Sequence, residues 1–286
     1  MKYTPSLIKK NVNVSKESPI REFFILLSGL LSIIMGLYFV LGFAINILVP
    51  KISPELENTL GNSLINRFKT EENAEKDVKA LQEFADKLHQ KCINIPYKFN
   101  LHIVKSSQIN ALALPGGHIV VFSELLNKIN SENELAFVLF HEMGHFANRD
   151  HLRGIGRSLV FIVITSLLLG PDNQLVNLMV QGIQLGENKF SREQEIAADE
   201  FALRNLNCFY GDVMGAADFF NKLADTEEPA GFFEKYYLTH PDSKQRAAHM
   251  EDYRKANDFT ANGPLLPVPE VFAKQVQMPQ TCREAQ

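Results

Sequence analysis

The chain has 286 residues, which is enough for one sizeable catalytic domain and an accessory segment. Its formal net charge of -4, with 22% charged residues, provides no concentrated basic surface and argues against nucleic-acid binding. Cys92, Cys208 and Cys282 are too scattered for a thiolate zinc site or a disulfide framework. At most one pair could form a disulfide, and we interpret all three as ordinary thiols.

The first element is an uncharged apolar run at residues 23–49. It exceeds the roughly 20 residues that a helix needs to cross a bilayer, and it is too long for the apolar region of a cleaved signal peptide. The run therefore predicts an uncleaved, single-pass transmembrane anchor. Basic residues precede the run, and only Lys51 follows it closely. The positive-inside rule then places residues 1–22 in the cytoplasm and the catalytic domain outside it, in the periplasm if the cell is Gram-negative.

Residues 50–258 are predicted to form the main domain, which the motif described below identifies as a zinc metallopeptidase domain, and residues 259–286, rich in proline, an extended or disordered tail. Apolar residues at helical spacing predict an amphipathic helix over residues 71–91, and alternation predicts a half-buried strand at residues 97–104. Residues 110–122 predict two short strands joined by a Pro-Gly-Gly turn. The expected fold class is α+β, mainly α-helical, with a small β-sheet and an N-terminal transmembrane helix.

The central motif is His-Glu-Met-Gly-His at residues 141–145, in an apolar helix that begins with a capping box at residues 131–134. Residues four apart project from one helix face, so His141 and His145 can bind one ion. Glu142 lies about 100° round the helix, where its carboxylate can reach a water beside the metal. Because burying these side chains without a partner is costly, we prefer a zinc site to a pair of core histidines.

A catalytic zinc site needs three protein ligands and one open position. The best candidate for the third ligand is Glu195, in a helix predicted over residues 192–205, and Asp199 lies on the same helix face. One carboxylate could bind zinc while the other accepts the outer N–H of a ligating histidine. A solvated acidic helix face is the alternative.

Two apolar runs, Leu159–Leu169 and Leu175–Leu185, separate the two ligand helices. A single membrane crossing would place the ligands on opposite sides of the bilayer, and each run is shorter than the roughly 17 residues that a span needs. We therefore interpret them as buried helices, or as a hairpin that dips into the near leaflet so that residues 159–185 contact lipid.

Together these features resemble the zinc peptidases that include the HtpX heat-shock proteases and the CAAX prenyl endopeptidases, a gluzincin-like group. The resemblance covers about half of the chain. It is carried by Asn110–Phe122, the motif at 141–145, Ser191–Asp199, and Thr239-His240-Pro241 followed by Arg246. A single anchor cannot build the intramembrane chamber of the prenyl endopeptidases, so a CAAX substrate is not expected.

The resemblance implies roles for individual residues. Glu195 would be the third zinc ligand and Asp199 its supporting acid, with Arg246 beside them. His240 could hydrogen-bond the oxyanion of the tetrahedral intermediate, although a loop histidine before proline is the plainer interpretation. The family's edge strand, which pairs with extended substrate, corresponds to Asn110, Ala111, Leu112 and Ala113.

The sequence therefore predicts a membrane-anchored zinc endopeptidase with one Zn²⁺ per chain. Its substrates would be extended or misfolded polypeptides, as in envelope protein quality control, and lipid would contact residues 23–49. One alternative is a chaperone-like polypeptide-binding protein with a structural or latent zinc site. Another is a zymogen-like peptidase in which residues 171–190 cover the metal.

Overall fold

The computed structural model describes residues 18–68, 75–170, 172–184, 190–218, 240, 243–269 and 272. The helices are α1 (Pro19–Leu48), α2 (Pro54–Ile65), α3 (Glu75–Cys92), α4 (Ser123–Lys128), α5 (Glu132–Ala147), α6 (Asp150–Leu169), α7 (Gln174–Gln184), α8 (Arg192–Tyr210) and α9 (Ser243–Ala256). The strands are β1 (Asn100–Val104), β2 (Ala111–Leu114) and β3 (His118–Phe122). The α+β, mainly helical class is confirmed.

Two helices in the described part of the chain, α1 and α6, are long and apolar enough to cross a membrane by length and composition. No residue of α1 is buried. The two helices pack antiparallel, because the ring of Tyr38 lies 5.5 Å from that of Phe161 while Gly156 meets Ile45. A Cβ at Gly156 would lie 2.9 Å from the Ile45 side chain, so the glycine permits the close approach.

The surface of α6 and α7 is apolar and exposed. Leu159 is 51% exposed and Leu167 72%, and on α7 Leu175 is 50% and Leu178 55% exposed. The interpretation of residues 159–185 as buried helices is therefore wrong for the described residues. The sequence argument also underestimated α6, which has 20 residues because it begins at Asp150, well before the apolar run.

The three-stranded sheet has the order β1-β3-β2. β1 pairs with β3 in parallel, and β2 pairs with β3 antiparallel, with Ala111 opposite Val121. The predicted Pro-Gly-Gly turn is confirmed: Gly116 and Gly117 adopt φ angles of 78° and 81°, which glycine reaches without a Cβ clash. The main hydrophobic core lies on one face of the sheet, against α3, α5 and α8, and a smaller apolar cluster with Ile65 of α2 lies on the other.

Helices α5 and α8 pack against each other through small residues. A Cβ at Gly144 would lie 3.0 Å from the Cα of Ala198, so the backbones approach closely. The Ser131 hydroxyl accepts the Glu134 N–H at the start of α5, and α8 begins with a full capping box of Ser191 and Gln194. These caps set the residue at which each ligand helix begins.

After α9, residues 259–269 contain no helix or strand and pack beside the start of α5. There the Leu266 carbonyl accepts the N–H of Glu132 at 2.9 Å. Part of the segment predicted as an extended tail thus contributes to the domain.

A disulfide joins Cys92, at the end of α3, to Cys208 of α8, with their Cα atoms 5.9 Å apart. The interpretation of these two cysteines as ordinary thiols is therefore wrong. Their sequence separation of 116 residues left no local signal for the pairing. Cys282 lies outside the described residues.

Candidate metal centre

Four buried side chains converge between α5 and α8. His141 and His145 project from α5, Glu195 comes from the first turn of α8, and His240 approaches from a distant part of the chain. One ligand atom from each of them lies within 4.8 Å of all the others. Every proposed metal ligand, and the histidine predicted beside them, is therefore in one cluster.

The spacing of these atoms fits a small divalent cation. His141 Nε2 lies 3.6 Å from Glu195 Oε2, and His145 Nε2 lies 3.7 Å from Glu195 Oε1. Two ligands bound at about 2.0–2.1 Å in tetrahedral geometry lie about 3.4 Å apart. His145 Nε2 is buried and has no hydrogen-bond partner among the described residues, as expected of a nitrogen that binds a metal. The nitrogen and carboxylate donors suit zinc.

Buried carboxylates and one arginine surround the ligands. Asp199 Oδ1 lies 2.9 Å from His141 Nδ1, so it can accept the outer N–H of that imidazole. Arg246 donates from Nε and Nη2 to the two oxygens of Asp199, at 2.8 and 2.7 Å, and its Nη1 contacts Glu195. The guanidinium group of Arg246 thus connects Glu195 and Asp199, the two acids of α8. The supporting roles of Asp199 and Arg246 remain predictions.

The electrostatics favour neutral imidazole and a proton-accepting glutamate. Burial lowers the pKa of His141 to about 4, against the opposing effect of Asp199. Burial raises the pKa of Glu142 to about 7. Burial also acts to raise the pKa values of Glu195 and Asp199, but neighbouring cations outweigh it and both values lie below the ordinary range; Arg246 contributes in each case.

The predicted substrate-binding strand lies beside Glu142. β2 pairs only with β3 in the described sheet, and the backbone N–H of Ala113 is near enough to the Glu142 carboxylate to act to lower its pKa. Asn110 Oδ1 accepts the N–H of Ala111 at 3.0 Å, so that group is already engaged. Leu112 packs on the opposite side, in the cluster with α2. A chain laid along β2 would therefore pass next to Glu142.

His240 occupies a position that suits two different roles. Its Nδ1 lies 3.0 Å from both oxygens of Glu195 and 3.4 Å from His141 Nε2, which places it among the ligand atoms. Its Nε2 lies 3.9 Å from Glu142 Oε1 and is the atom that the predicted contact with the oxyanion would use. Its neighbours Thr239 and Pro241 lie outside the described residues.

Phe190 covers one ligand. Its ring stacks on the His145 imidazole at 3.9 Å with an interplanar angle of 13°. Phe190 ends the segment 171–190 that the zymogen-like alternative invokes, and part of that segment lies outside the described residues. The latency of the site remains a prediction.

Sequence reasoning missed Asp150 and Gln194. Asp150 Oδ2 lies 3.2 Å from His145 Nδ1, and Gln194 Nε2 donates to Asp150 Oδ1 at 2.6 Å. The one available signal was the position of Asp150, five residues after His145, at the start of a new helix. No helical periodicity connects those two positions, so the contact depends on the turn between α5 and α6.

Comparison with known proteins agrees with this geometry. Residues 75–254 match the profile of peptidase family M48. The chain is 36% identical over 148 residues to the mitochondrial metalloendopeptidase OMA1 of Arabidopsis thaliana, covering 51% of this chain and 29% of that protein. It is 30% identical over 177 residues to the beta-barrel assembly-enhancing protease of Yersinia pestis, covering 56% and 36%. It is 31% identical over 187 residues to the metalloprotease LoiP of Escherichia coli, covering 63% and 71%. The chain thus matches about a third of the length of the first two relatives.

Proposed function

Because this chain belongs to peptidase family M48, we propose that it is a membrane-anchored zinc endopeptidase that hydrolyses peptide bonds of extended or misfolded polypeptides. The observation that carries the proposal is the convergence of His141, His145 and Glu195, with Glu142 beside them. A purely structural zinc site would not need a buried carboxylate such as that of Glu142 held next to the cluster.

Different residues of the chain take part in different steps of the hydrolysis. A zinc ion in this site would supply the Lewis acidity that polarises the scissile carbonyl and acidifies a water. Glu142, with its pKa raised to about 7, accepts the proton from that water and later donates it to the leaving amine. The edge of β2 that does not pair with β3 would align the extended substrate. His240 donates a hydrogen bond to the developing oxyanion.

The test compares casein digestion by the full-length protein in detergent micelles with and without a chelator. Glu142→Gln should lower the cleavage rate by about 10²–10⁴-fold and leave the zinc content near one per chain. Glu193→Gln is the matched control, because Glu193 is an exposed acid near the start of α8. Full activity of Glu142→Gln would refute the assignment of the base.

The alternative is a chaperone-like binder that uses β2 without cutting its client. The same digestion separates the two functions: a binder would contain zinc, would retain casein and would leave it whole. The placement of Glu142 beside both the ligand cluster and the N–H of Ala113 favours the peptidase.

We place the catalytic domain on the extracytoplasmic side of the membrane. The excess of basic residues before α1 supports this orientation. The disulfide between Cys92 and Cys208 is independent support, since such bonds persist in oxidising compartments and are rare in the cytosol. The name of the Yersinia relative, a beta-barrel assembly-enhancing protease, is consistent with a role in envelope protein quality control.

We further place the hairpin of α6 and α7 in the bilayer beside α1. From Gly156, level with Ile45 of the anchor, α6 continues for 13 residues to Leu169, which is about 20 Å along the bilayer normal. No charged residue lies between Ser158 and Leu169, and most of the apolar side chains there are exposed, whereas Val160 and Ile164 are buried. Such a surface is continuous with the apolar surface of the anchor.

Cysteine labelling tests this placement. In a Cys282→Ser background, Leu168→Cys should be protected from a membrane-impermeant maleimide in proteoliposomes and labelled in the unfolded protein. Leu56→Cys on α2 is the control, because Leu56 is 52% and Leu168 50% exposed. Equal labelling of both positions in proteoliposomes would place α6 outside the bilayer.

A further inference from the structure

The three consecutive residues Arg149, Asp150 and His151, at the junction of α5 and α6, face two different partners. Arg149 adopts a left-handed conformation, with φ 55°, two residues after the end of α5, and the other two residues begin α6. The side chains of Arg149 and His151 reach Glu57 of α2, whereas the side chain of Asp150 reaches the ligand His145. The turn therefore links the helix that follows the anchor to the metal centre.

Glu57 is the buried acceptor at one end of this link and is 1% exposed. His151 Nε2 lies 2.9 Å and the Gly116 N–H nitrogen 3.2 Å from its Oε1. The Tyr97 hydroxyl and Arg149 Nη2 donate to its Oε2 at 3.1 and 3.3 Å. Burial acts to raise the pKa of Glu57, but the hydrogen bonds and the charge of His151 outweigh it and the net shift is downward. The carboxylate is thus held as an anion with four donors.

Arg149 also forms hydrogen bonds with the backbone at the end of the anchor. Its Nη1 donates to the carbonyl oxygens of Val49 and Ile52, at 2.7 and 3.2 Å, in the turn that follows α1. The Val49 carbonyl also accepts the N–H of Ile52 at 3.2 Å, so the arginine adds a second donor to Val49 and one donor to Ile52. The end of the anchor, α2 and the turn at 149–151 consequently form one hydrogen-bonded unit.

Asp150 is the contact at the other end, and its side chain is fully buried. Its Oδ2 lies 3.2 Å from His145 Nδ1, while its Oδ1 accepts Gln194 Nε2 at 2.6 Å and lies 3.6 Å from Arg153 Nη1. Gln194 precedes the ligand Glu195 on α8. An acid that accepts the outer N–H of a ligating histidine fixes its tautomer and ring orientation.

We propose that Asp150 is a positioning residue for His145, and that Glu57 holds it in place, so that the helix following the membrane anchor sets the affinity of the metal site. The inference deepens the proposed function and rests on zinc binding, not on the identity of the substrate. Neither residue touches the reacting atoms.

The test measures the zinc dissociation constant of the full-length protein in micelles by competition with a chromophoric chelator. Asp150→Asn should raise the constant about 10–100-fold. Glu57→Gln should raise it by a smaller factor of about 3–10, because it acts through the turn. Glu55→Gln, an exposed acid two residues away on α2, is the matched control and should change nothing.

A double-mutant cycle separates positioning from general damage. If Glu57 acts through Asp150, the effect of Glu57→Gln on zinc affinity should largely vanish in the Asp150→Asn background. If the two substitutions instead raise the zinc dissociation constant by factors that simply multiply in the double variant, the coupling is refuted. The visible spectrum of the Co²⁺-substituted protein should also shift in Asp150→Asn, as a reoriented imidazole requires.

Each outcome decides one statement. A zinc constant within twofold of wild type in Asp150→Asn would overturn the positioning role, whereas a wild-type protein that binds no zinc would overturn the proposed function itself. If Glu57→Gln does not fold, Arg149→Lys replaces it, because lysine keeps the charge but cannot bridge Val49, Ile52 and Glu57 together. An unchanged zinc constant in that variant would refute the link to the anchor.

Discussion

Replacing Arg246 with methionine should destabilise the protein much more without zinc than with it. Arg246 is 1% exposed and is shared by Asp199 and Glu195, which are fully buried. Removing one partner of a buried ion pair costs about 3–5 kcal/mol, because the remaining charge has no compensation. In a domain of this size that loss corresponds to about 6–20 °C in the thermal midpoint.

Zinc should recover part of this loss. Arg246 contributes one positive charge against the two carboxylates of α8, and a divalent cation ligated by Glu195 would be the largest positive charge in the site. We expect the loss in Arg246→Met to fall by about half at saturating zinc. The stabilisation that zinc confers should therefore be larger in the variant than in the wild type.

The assay is thermal unfolding in micelles, followed by tyrosine fluorescence, since the chain contains 7 tyrosines and no tryptophan. Arg254→Met is the matched control. Arg254 lies on the same helix and donates to Glu251 through the same fork, at 2.7 and 2.8 Å, but this pair is at the surface, where solvent screens it and it contributes little to stability. Equal losses with and without zinc, or equal losses in the two variants, would refute the electrostatic argument.

Three further results are expected. Replacing Cys92 and Cys208 with serine should lower the free energy of unfolding by up to about 4–5 kcal/mol, because the disulfide closes a loop of 116 residues. A reductant should lower the thermal midpoint of the wild-type protein by the same amount as the substitutions do. An unchanged midpoint would contradict this. Burial and the charge of His118 lower the pKa of His102 to about 4, so the unfolded chain gains a proton below pH 6.5 before the folded one does. Because His102 is partly exposed and solvent screens part of the effect, stability should fall by about 1 kcal/mol by pH 5, and less in His102→Gln. His240→Ala should lower the turnover rate about 100-fold and leave the affinity for zinc nearly unchanged. A variant that turns over faster than the wild type and binds zinc more weakly would instead indicate that His240 is a metal ligand.

Local patterns predicted the elements of the fold well. The Pro-Gly-Gly turn, the alternating strand and the capped metal helix each depend on contacts within a few residues, and all are present. The apolar runs after the metal helix were harder, because hydrophobicity alone cannot distinguish burial in protein from exposure to lipid. In the folded chain most of these side chains are exposed, such as Leu167 at 72%, whereas Val160 and Ile164 are buried.

The metal site was predictable to the extent that its spacing is helical. His141 and His145 follow from one turn of helix, and Glu195 with Asp199 from another. The partners that hold them in place were not predictable, because Asp150, Gln194 and Glu57 come from three different elements that meet only in the folded chain. The disulfide was invisible for the same reason.

Under the proposed membrane placement, contacts that the sequence did not predict also limit where the enzyme can cut. Arg149 lies four residues after His145, just past the end of α5, which separates their backbones by about 6 Å, and its extended side chain of about 6–7 Å reaches Val49 at the end of the anchor. With the hydrogen bond of 2.7 Å and about 5 Å for the His145 side chain added, the metal cluster is within about 20 Å of the point where the anchor ends. An extended chain covers that distance in about six residues. A cleavage site that follows closely on a transmembrane segment meets this geometry directly, whereas one buried in a folded soluble domain must first unfold and approach the membrane.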